Sequence, residues 1–179
     1  MSDKQTIVLG GGCFWCTEAV YVKVRGVTDV ESGYSNGQAQ RPSYEAVCTG
    51  TTGHAEVVKL EYDPAQVSTR QILEIFFTVH DPTQLNQQGA DVGTQYRSGI
   101  YYTTPQQKDE AEKIIRELTA DNAFGKPIVT EVKPLANYWP AEDYHQDFFE
   151  KNPHQGYCMA VAAPKVEKFR KTFKQFARR

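Results

Sequence analysis

Apolar residues recur along this chain with two periods, and the switches between them outline alternating strands and helices. Thr6-Ile7-Val8-Leu9 is a short β-branched run that ends at three glycines, Gly10-Gly11-Gly12, as a strand entering a tight turn does. A helix is expected next, over roughly residues 14 to 23. Val27 to Tyr34 has strand character and stops at Ser35-Asn36-Gly37, and Val57 to Tyr62 is a second such run that stops at Asp63-Pro64. Ser68 reads as the N-cap of a helix whose Ile72, Leu73, Ile75, Phe76 and Val79 share one face. Ser98 to Thr103 returns to strand, and Thr104-Pro105 opens a helix to about Ala120 with proline at its first helical position. Ile128 to Val132 reads as a further strand and residues 141 to 151 as a short helix. Val166, Phe169, Phe173 and Phe176 form a helical stripe near the C-terminus. The alternation predicts an α+β fold, a mixed β-sheet with helices packed on it in two βαβ-type layers.

Composition narrows the class. With 179 residues, 40% hydrophobic and 23% charged, the chain suits one globular domain, taken as 1-179. A net charge of −2 supplies no field for nucleic acid or an anionic membrane. The last helix carries seven Lys/Arg against one Glu, read as a solvated face behind a packed aromatic stripe. Met1-Ser2-Asp3-Lys4-Gln5 leads into an apolar run too short for a signal peptide or a membrane span, so a cytoplasmic location is the expectation. In a reducing compartment, four cysteines are expected to be reactive or buried rather than a disulfide framework.

The chemistry concentrates in Cys13-Phe14-Trp15-Cys16, which follows the glycines and opens the first helix. A sulfur there lies near unpaired N–H groups and the positive end of a helix, an environment expected to favour the thiolate. Phe14 and Trp15 beside it suggest the walls of an apolar substrate pocket. Two other readings use the same residues. C-x-x-C is also a dithiol–disulfide redox motif, which would make Cys13 and Cys16 a disulfide oxidoreductase pair, and it is half of a zinc site, with His154 and Cys158 as the remaining ligands. The irregular spacing and the lack of a second C-x-x-C disfavour zinc. No Gly-Lys-Ser/Thr follows the glycines, which disfavours a phosphate loop. Three polar loops, Arg41 to Glu45, Gly53 to Glu56 and Gln88 to Ser98, add carboxyls and phenols. Together with a thiolate they form a set that can attack a soft electrophile while protonating a leaving oxygen.

Gly12-Cys13-Phe14-Trp15 with Glu18, Gly53-His54-Ala55-Glu56-Val57-Val58, His80-Asp81-Pro82-Thr83, Gly93-Thr94-Gln95-Tyr96-Arg97-Ser98 and Ala141-Glu142-Asp143-Tyr144-His145-Gln146 resemble, in order, the blocks of the A class of peptide methionine sulfoxide reductases. The resemblance implies reduction of methionine S-sulfoxide, free or in oxidised proteins, to methionine. It implies Cys13 as nucleophile, Glu56 as acid, and Tyr44, Tyr96 and Asp91 as groups that bind or polarise the sulfoxide oxygen. Phe14 and Trp15 would receive the methyl group, and Cys158 in Gly156-Tyr157-Cys158 would resolve the sulfenic acid left on Cys13. It implies no cofactor or metal, with thioredoxin as the external reductant and partner, a role in repair after oxidative damage, and a monomer. The core would be ferredoxin-like, with long loops and an extended C-terminal segment from about residue 153 that carries Cys158 and the terminal helix. This chain has Cys16 where many members lack a cysteine and none beyond Cys158, so thioredoxin would act on the Cys13–Cys158 disulfide directly. Cys48, after Val47, reads as a buried or bystander thiol. A carboxyl beside aromatic rings should have its pKa raised to roughly 6 or more, which would keep Glu56 protonated for its role.

Overall fold

The computed structural model describes residues 3–178. Four strands and two helices make the core: β1 (Gln5–Gly10), α1 (Phe14–Tyr21), β2 (Val27–Ser35), β3 (Ala55–Tyr62), α3 (Thr69–Val79) and β6 (Gly99–Tyr102). In the sheet these strands run β6-β1-β3-β2, all neighbouring pairs antiparallel, which is the interleaved double βαβ of a ferredoxin-like core. The edges are extended by β7 (Glu131–Pro134), parallel to β6, and by the two-residue β8 (Trp139–Pro140), antiparallel to β2. The sheet is therefore mixed, as its alternating periods led one to expect.

Strand pleating sorts the core into two layers. Ile7, Leu9, Val58, Leu60, Tyr62 and Ile100 pack with α1 and α3 in the main cluster, while the alternate residues Val8, Val57 and Tyr101 fill a smaller one beneath Leu135 and Tyr138. Both faces of β1 are thus covered, which is why it reads as an unbroken apolar run. Local capping follows the sequence. Ser68 and Gln71 form a reciprocal capping box on α3, and the Thr104 hydroxyl accepts from Gln107 N at the start of α4 (Pro105–Ala120).

Several elements differ from the sequence expectation. The loop expected over Arg41 to Glu45 ends in a short helix, α2 (Tyr44–Cys48), capped by Ser43. The strand expected at 128–132 is shifted to β7, because its residues are chosen by pairing with β6 and not by their own apolarity. The helix expected over 141–151 is broken: a 3₁₀ turn at Asp143–His145, then Asp147 in the left-handed region (φ 56°), then α5 (Phe148–Lys151). The loop from Gln88 holds a small hairpin, β4 (Gln87–Gln88) with β5 (Asp91–Val92). The stripe to Phe176 is cut at Phe173, where α6 (Ala163–Thr172) ends. The segment after 153 does not hang free, since α6 packs on α1 and α3, and Arg25 N donates to Phe176 O. A single π-helical turn, Cys158–Ala162, precedes α6, where Pro164 lacks the N–H that a regular ladder would use. No helix among the described residues is long and apolar enough to cross a membrane.

Candidate active site

Cys13 is the N-cap of α1, placed there by the turn after β1. Gly12 has φ +94°, and a Cβ on it would meet the Gln88 side chain at 2.8 Å, so both the backbone and the space require glycine. Cys13 is 7% exposed. Glu56, the second residue of β3, is 1% exposed, and its Oε1 accepts the Phe14 N–H at 3.2 Å. The carboxyl of Glu56 therefore takes the first free N–H of α1.

This packing reverses the expected charge state of the thiol. Burial pushes the Cys13 pKa well up, the neighbouring charges of Glu56, Cys16 and Asp91 push the same way, and the Trp15 N–H opposes them without prevailing. The resting sulfur is a thiol and not the thiolate that a helix start alone suggests, because desolvation outweighs one N–H. Glu56 is pushed up to about 8, first by desolvation and further by Asp91, against the hydrogen bonds from Phe14 and Cys13. Its Oε2 is buried with no partner among the described residues. At neutral pH the carboxyl is mostly protonated.

Tyr44 and Tyr96 complete the cluster. Burial, then the Glu56 charge, raises both phenols above their ordinary range, and the Tyr96 shift also feels Cys13 and Asp91, so both hydroxyls remain donors. Tyr96 sits on a 3₁₀ turn opened by Gly93 (φ +145°). Arg97 anchors that turn, donating to Thr94 O, Asn36 O, Gly53 O and the Glu131 carboxylate. Asp91 is brought to the same place, but its carboxylate accepts the Tyr157 hydroxyl at 2.5 Å, and Tyr157 in turn accepts from Cys16 Sγ at 3.6 Å. It faces the site as one end of a chain of hydrogen bonds.

The two aromatics separate in role. Phe14 has no exposed surface and lies beneath Tyr34, Tyr44 and His145, with ring centroids 5.0–6.4 Å apart. Trp15 is only partly buried and stacks on Phe148 at 3.8 Å, so Trp15 offers the open wall and Phe14 its support. Cys158 is fully buried at the start of the π-turn, and burial pushes its thiol pKa up. Cys48 is exposed, not buried, with its thiol against the Tyr44 hydroxyl. Among the described residues no group of three or more His, Cys, Asp or Glu is placed to hold a metal ion.

The block from Ala141 to Gln146 was noted in sequence without a function for any residue. In the fold it frames the site. Glu142 accepts from Tyr34 Oη at 2.7 Å and Tyr44 N at 2.9 Å, which sets the phenol of Tyr44. His145 Nδ1 accepts the Trp15 indole N–H at 3.0 Å, and Gln146 bonds both N and O of Ser32 at 2.9 Å. His80, pushed down to about 4 by burial, is structural: its Nδ1–H donates to Phe76 O, and Nε2 meets Ser98 Oγ at 2.8 Å. These partners lie about 100 positions or more apart for the clamp, and local sequence carries no signal for them beyond the polar character of the block.

Comparison with known proteins agrees with this geometry. The family model described as peptide methionine sulfoxide reductase matches residues 5–177. A peptide methionine sulfoxide reductase MsrA from Nautilia profundicola is 60% identical over 164 residues, covering 92% of this chain and 93% of that protein. Among solved structures, Mxr1 from Saccharomyces cerevisiae in reduced form superposes with a TM-score of 0.80 at 36% identity, over 88% of this chain and 92% of that one. The same yeast protein in complex with Trx2 superposes at 0.56 with 25% identity, over 83% and 88%. A thiol and a protonated carboxyl meeting in a dry pocket, on a chain matched over nearly its whole length, place it in one family: the chain belongs to the peptide methionine sulfoxide reductases, thiol-dependent enzymes that return methionine sulfoxide to methionine.

Proposed function

We propose that this chain, as a single catalytic domain, reduces methionine S-sulfoxide, free or in oxidised proteins, with Cys13 as nucleophile and Glu56 as proton donor. The observation that carries this reading is the pairing of a buried Cys13 thiol with a Glu56 carboxyl pushed up to about 8. A sulfoxide sulfur yields its oxygen only if that oxygen is protonated as the nucleophile attacks, and the mostly protonated Glu56 carboxyl has an Oε2 with no partner among the described residues. The pair must first lose one proton between its two members, so that thiolate and neutral acid coexist; the two titrate as one coupled system. Cys13 sulfur then bonds to the sulfoxide sulfur, Glu56 gives its proton to the oxygen, and Tyr44 and Tyr96 donate hydrogen bonds as charge grows there. Asp91 acts through Tyr157 and through its charge on Glu56. The S–O bond then breaks, the hydroxyl oxygen bonds to Cys13 sulfur, and the S–S bond cleaves with its electron pair leaving on the substrate sulfur, so methionine is released and Cys13 is a sulfenic acid.

Trp15, backed by Phe14 and Phe148, holds the methyl group. Cys158 then attacks Cys13 sulfur, the hydroxyl leaves as water, and a disulfide remains. A dithiol reductant clears it, and the complex of the yeast relative with Trx2 supports thioredoxin in that role. On this reading the protein is a monomeric cytoplasmic repair enzyme. The test is a coupled assay with thioredoxin, its reductase and the separated R and S epimers of a methionine sulfoxide peptide, run beside glutathione disulfide. Consumption of the S epimer alone is expected. Reduction of glutathione disulfide without loss of sulfoxide would assign the chain to Cys13–Cys16 disulfide chemistry instead.

A further inference from the structure

Glu18 lies on α1 one turn beyond Trp15 and is 2% exposed, surrounded by apolar neighbours of the same helix. Both of its carboxyl oxygens are buried with no hydrogen-bond partner among the described residues. An aliphatic side chain would fill the place without the cost of burying an acid, so the reason for a carboxyl lies in what it faces. It faces the backbone N–H groups of Asp147 and Phe148 and the hydroxyl of Ser32, all near enough to favour its charged form. Asp147 is in the left-handed region, and its own side chain makes no cap on α5.

The four residues from 145 to 148 are each tied to α1 or β2. His145 accepts from the Trp15 indole, Gln146 holds the Ser32 backbone, the Asp147 and Phe148 backbone lies beside the Glu18 carboxyl without completing a hydrogen bond to it, and the Phe148 ring lies on Trp15 at 3.8 Å and 5°. Trp15 is thus gripped from two sides by a segment whose turn faces Glu18. We propose that Glu18 is a positioning residue: through the Asp147–Phe148 turn it fixes Phe148 against Trp15 and so shapes the wall that receives the sulfoxide methyl group. The assignment rests on Trp15 serving as that wall, as in the proposed function.

Burial, with the Asp147 charge as a further contribution, pushes Glu18 up to about 7. The carboxyl therefore changes charge near neutrality, and its ionised form is the stronger acceptor for two backbone N–H groups. The other charged groups here are the Lys23–Glu150 pair at 2.7 Å, joining the loop after α1 to α5, and His145, which burial holds below its ordinary range. Titration of His145 falls at lower pH than that of Glu18.

The experiment reads Trp15 directly. The chain has two tryptophans, so Trp139→Phe leaves Trp15 as the sole emitter. Its fluorescence is expected to change with a midpoint near pH 7 in Trp139→Phe and to lose that transition when Glu18→Gln is added. Glu18→Ala should raise KM for a methionine sulfoxide peptide roughly tenfold while the saturated single-turnover rate stays within about threefold, the signature of lost binding without lost chemistry. Glu18→Gln should give a smaller rise that no longer varies with pH. The proposal is overturned if Trp15 emission in Glu18→Gln follows the parent at every pH, or if Glu18→Ala lowers the melting temperature with KM unchanged. If Glu18→Ala does not fold, the fluorescence and KM of Glu18→Gln decide. Fluorescence needs no turnover, so an absence of sulfoxide reduction would sink the proposed function and still leave the role of Glu18 decided.

Discussion

Glu56→Gln separates chemistry from stability at one position. The amide keeps the shape of the carboxyl and its Oε1 can still accept the Phe14 N–H, now at 3.2 Å, but it has no proton to donate. With Glu56 at about 8, the carboxyl is about 90% protonated at pH 7 and about 10% at pH 9. Loss of a general acid costs roughly 10²–10⁴ in rate, or about 3–5 kcal/mol on the barrier, and the single-turnover rate of the variant should fall on that scale. Stability should move the other way. A carboxyl whose folded pKa lies above its unfolded value keeps its proton in the native state while the unfolded chain releases it, so stability is greatest below about 4.5 and is lost as pH rises toward 8. Over the 2.5 units from 4.5 to 7, at about 1.4 kcal/mol per unit, the parent loses about 3 kcal/mol that Glu56→Gln does not. For a chain of this size that is roughly 6–12 °C in melting temperature. Urea denaturation of both proteins at half-unit steps from pH 5 to 8 measures the difference, and titrating groups remote from Glu56 cancel between them. Parallel curves would show that Glu56 is not held neutral, and its role as the acid would fall with that result.

Three further outcomes follow from the same geometry. Cys13→Ser should abolish sulfoxide reduction with the fold retained by circular dichroism, and turnover within tenfold of the parent would refute Cys13 as the nucleophile. Cys158→Ser should release about one equivalent of methionine per chain and then stall as a sulfenic acid detectable by mass spectrometry, because attack by Cys13 precedes resolution; continued turnover with thioredoxin would move resolution to Cys16. Phe169 is fully buried where α6 covers α1 and α3, so Phe169→Ala should cost about 3–5 kcal/mol in urea denaturation, and a loss under about 1 kcal/mol would contradict that packing.

Local signals carried the core elements. The apolar run of β1, the Ser68 cap and single apolar face of α3, and Thr104-Pro105 at the start of α4 all lie within a few residues of what they specify, and the fold formed each where those signals put it. Cys13 stood out locally as a thiol between a glycine turn and a helix start, whereas Glu56 was singled out by the resemblance of its Gly53-His54-Ala55-Glu56 block, and it is the fold that sets the two side by side. Elements defined by a partner were not. β7 takes its bounds from β6, β8 consists of two residues that are strand only against β2, and the expected helix over 141–151 breaks because Gln146 bonds the Ser32 backbone and Asp147 turns left-handed.

The charge states were beyond local reading for the same reason. A helix start argues for a Cys13 thiolate, yet the sulfur is a thiol because strands and helices from across the chain exclude water from it and set Glu56 beside it. The resemblance set Asp91 among the groups around the sulfoxide oxygen, and only the fold shows that Tyr157, 66 positions away, donates to its carboxylate. Where secondary structure rests on backbone preferences and near neighbours, as in β1, α3 and α4, the order of residues states it outright. Protonation depends on solvent access and on charges a few ångströms away, and those distances exist only once the chain has packed.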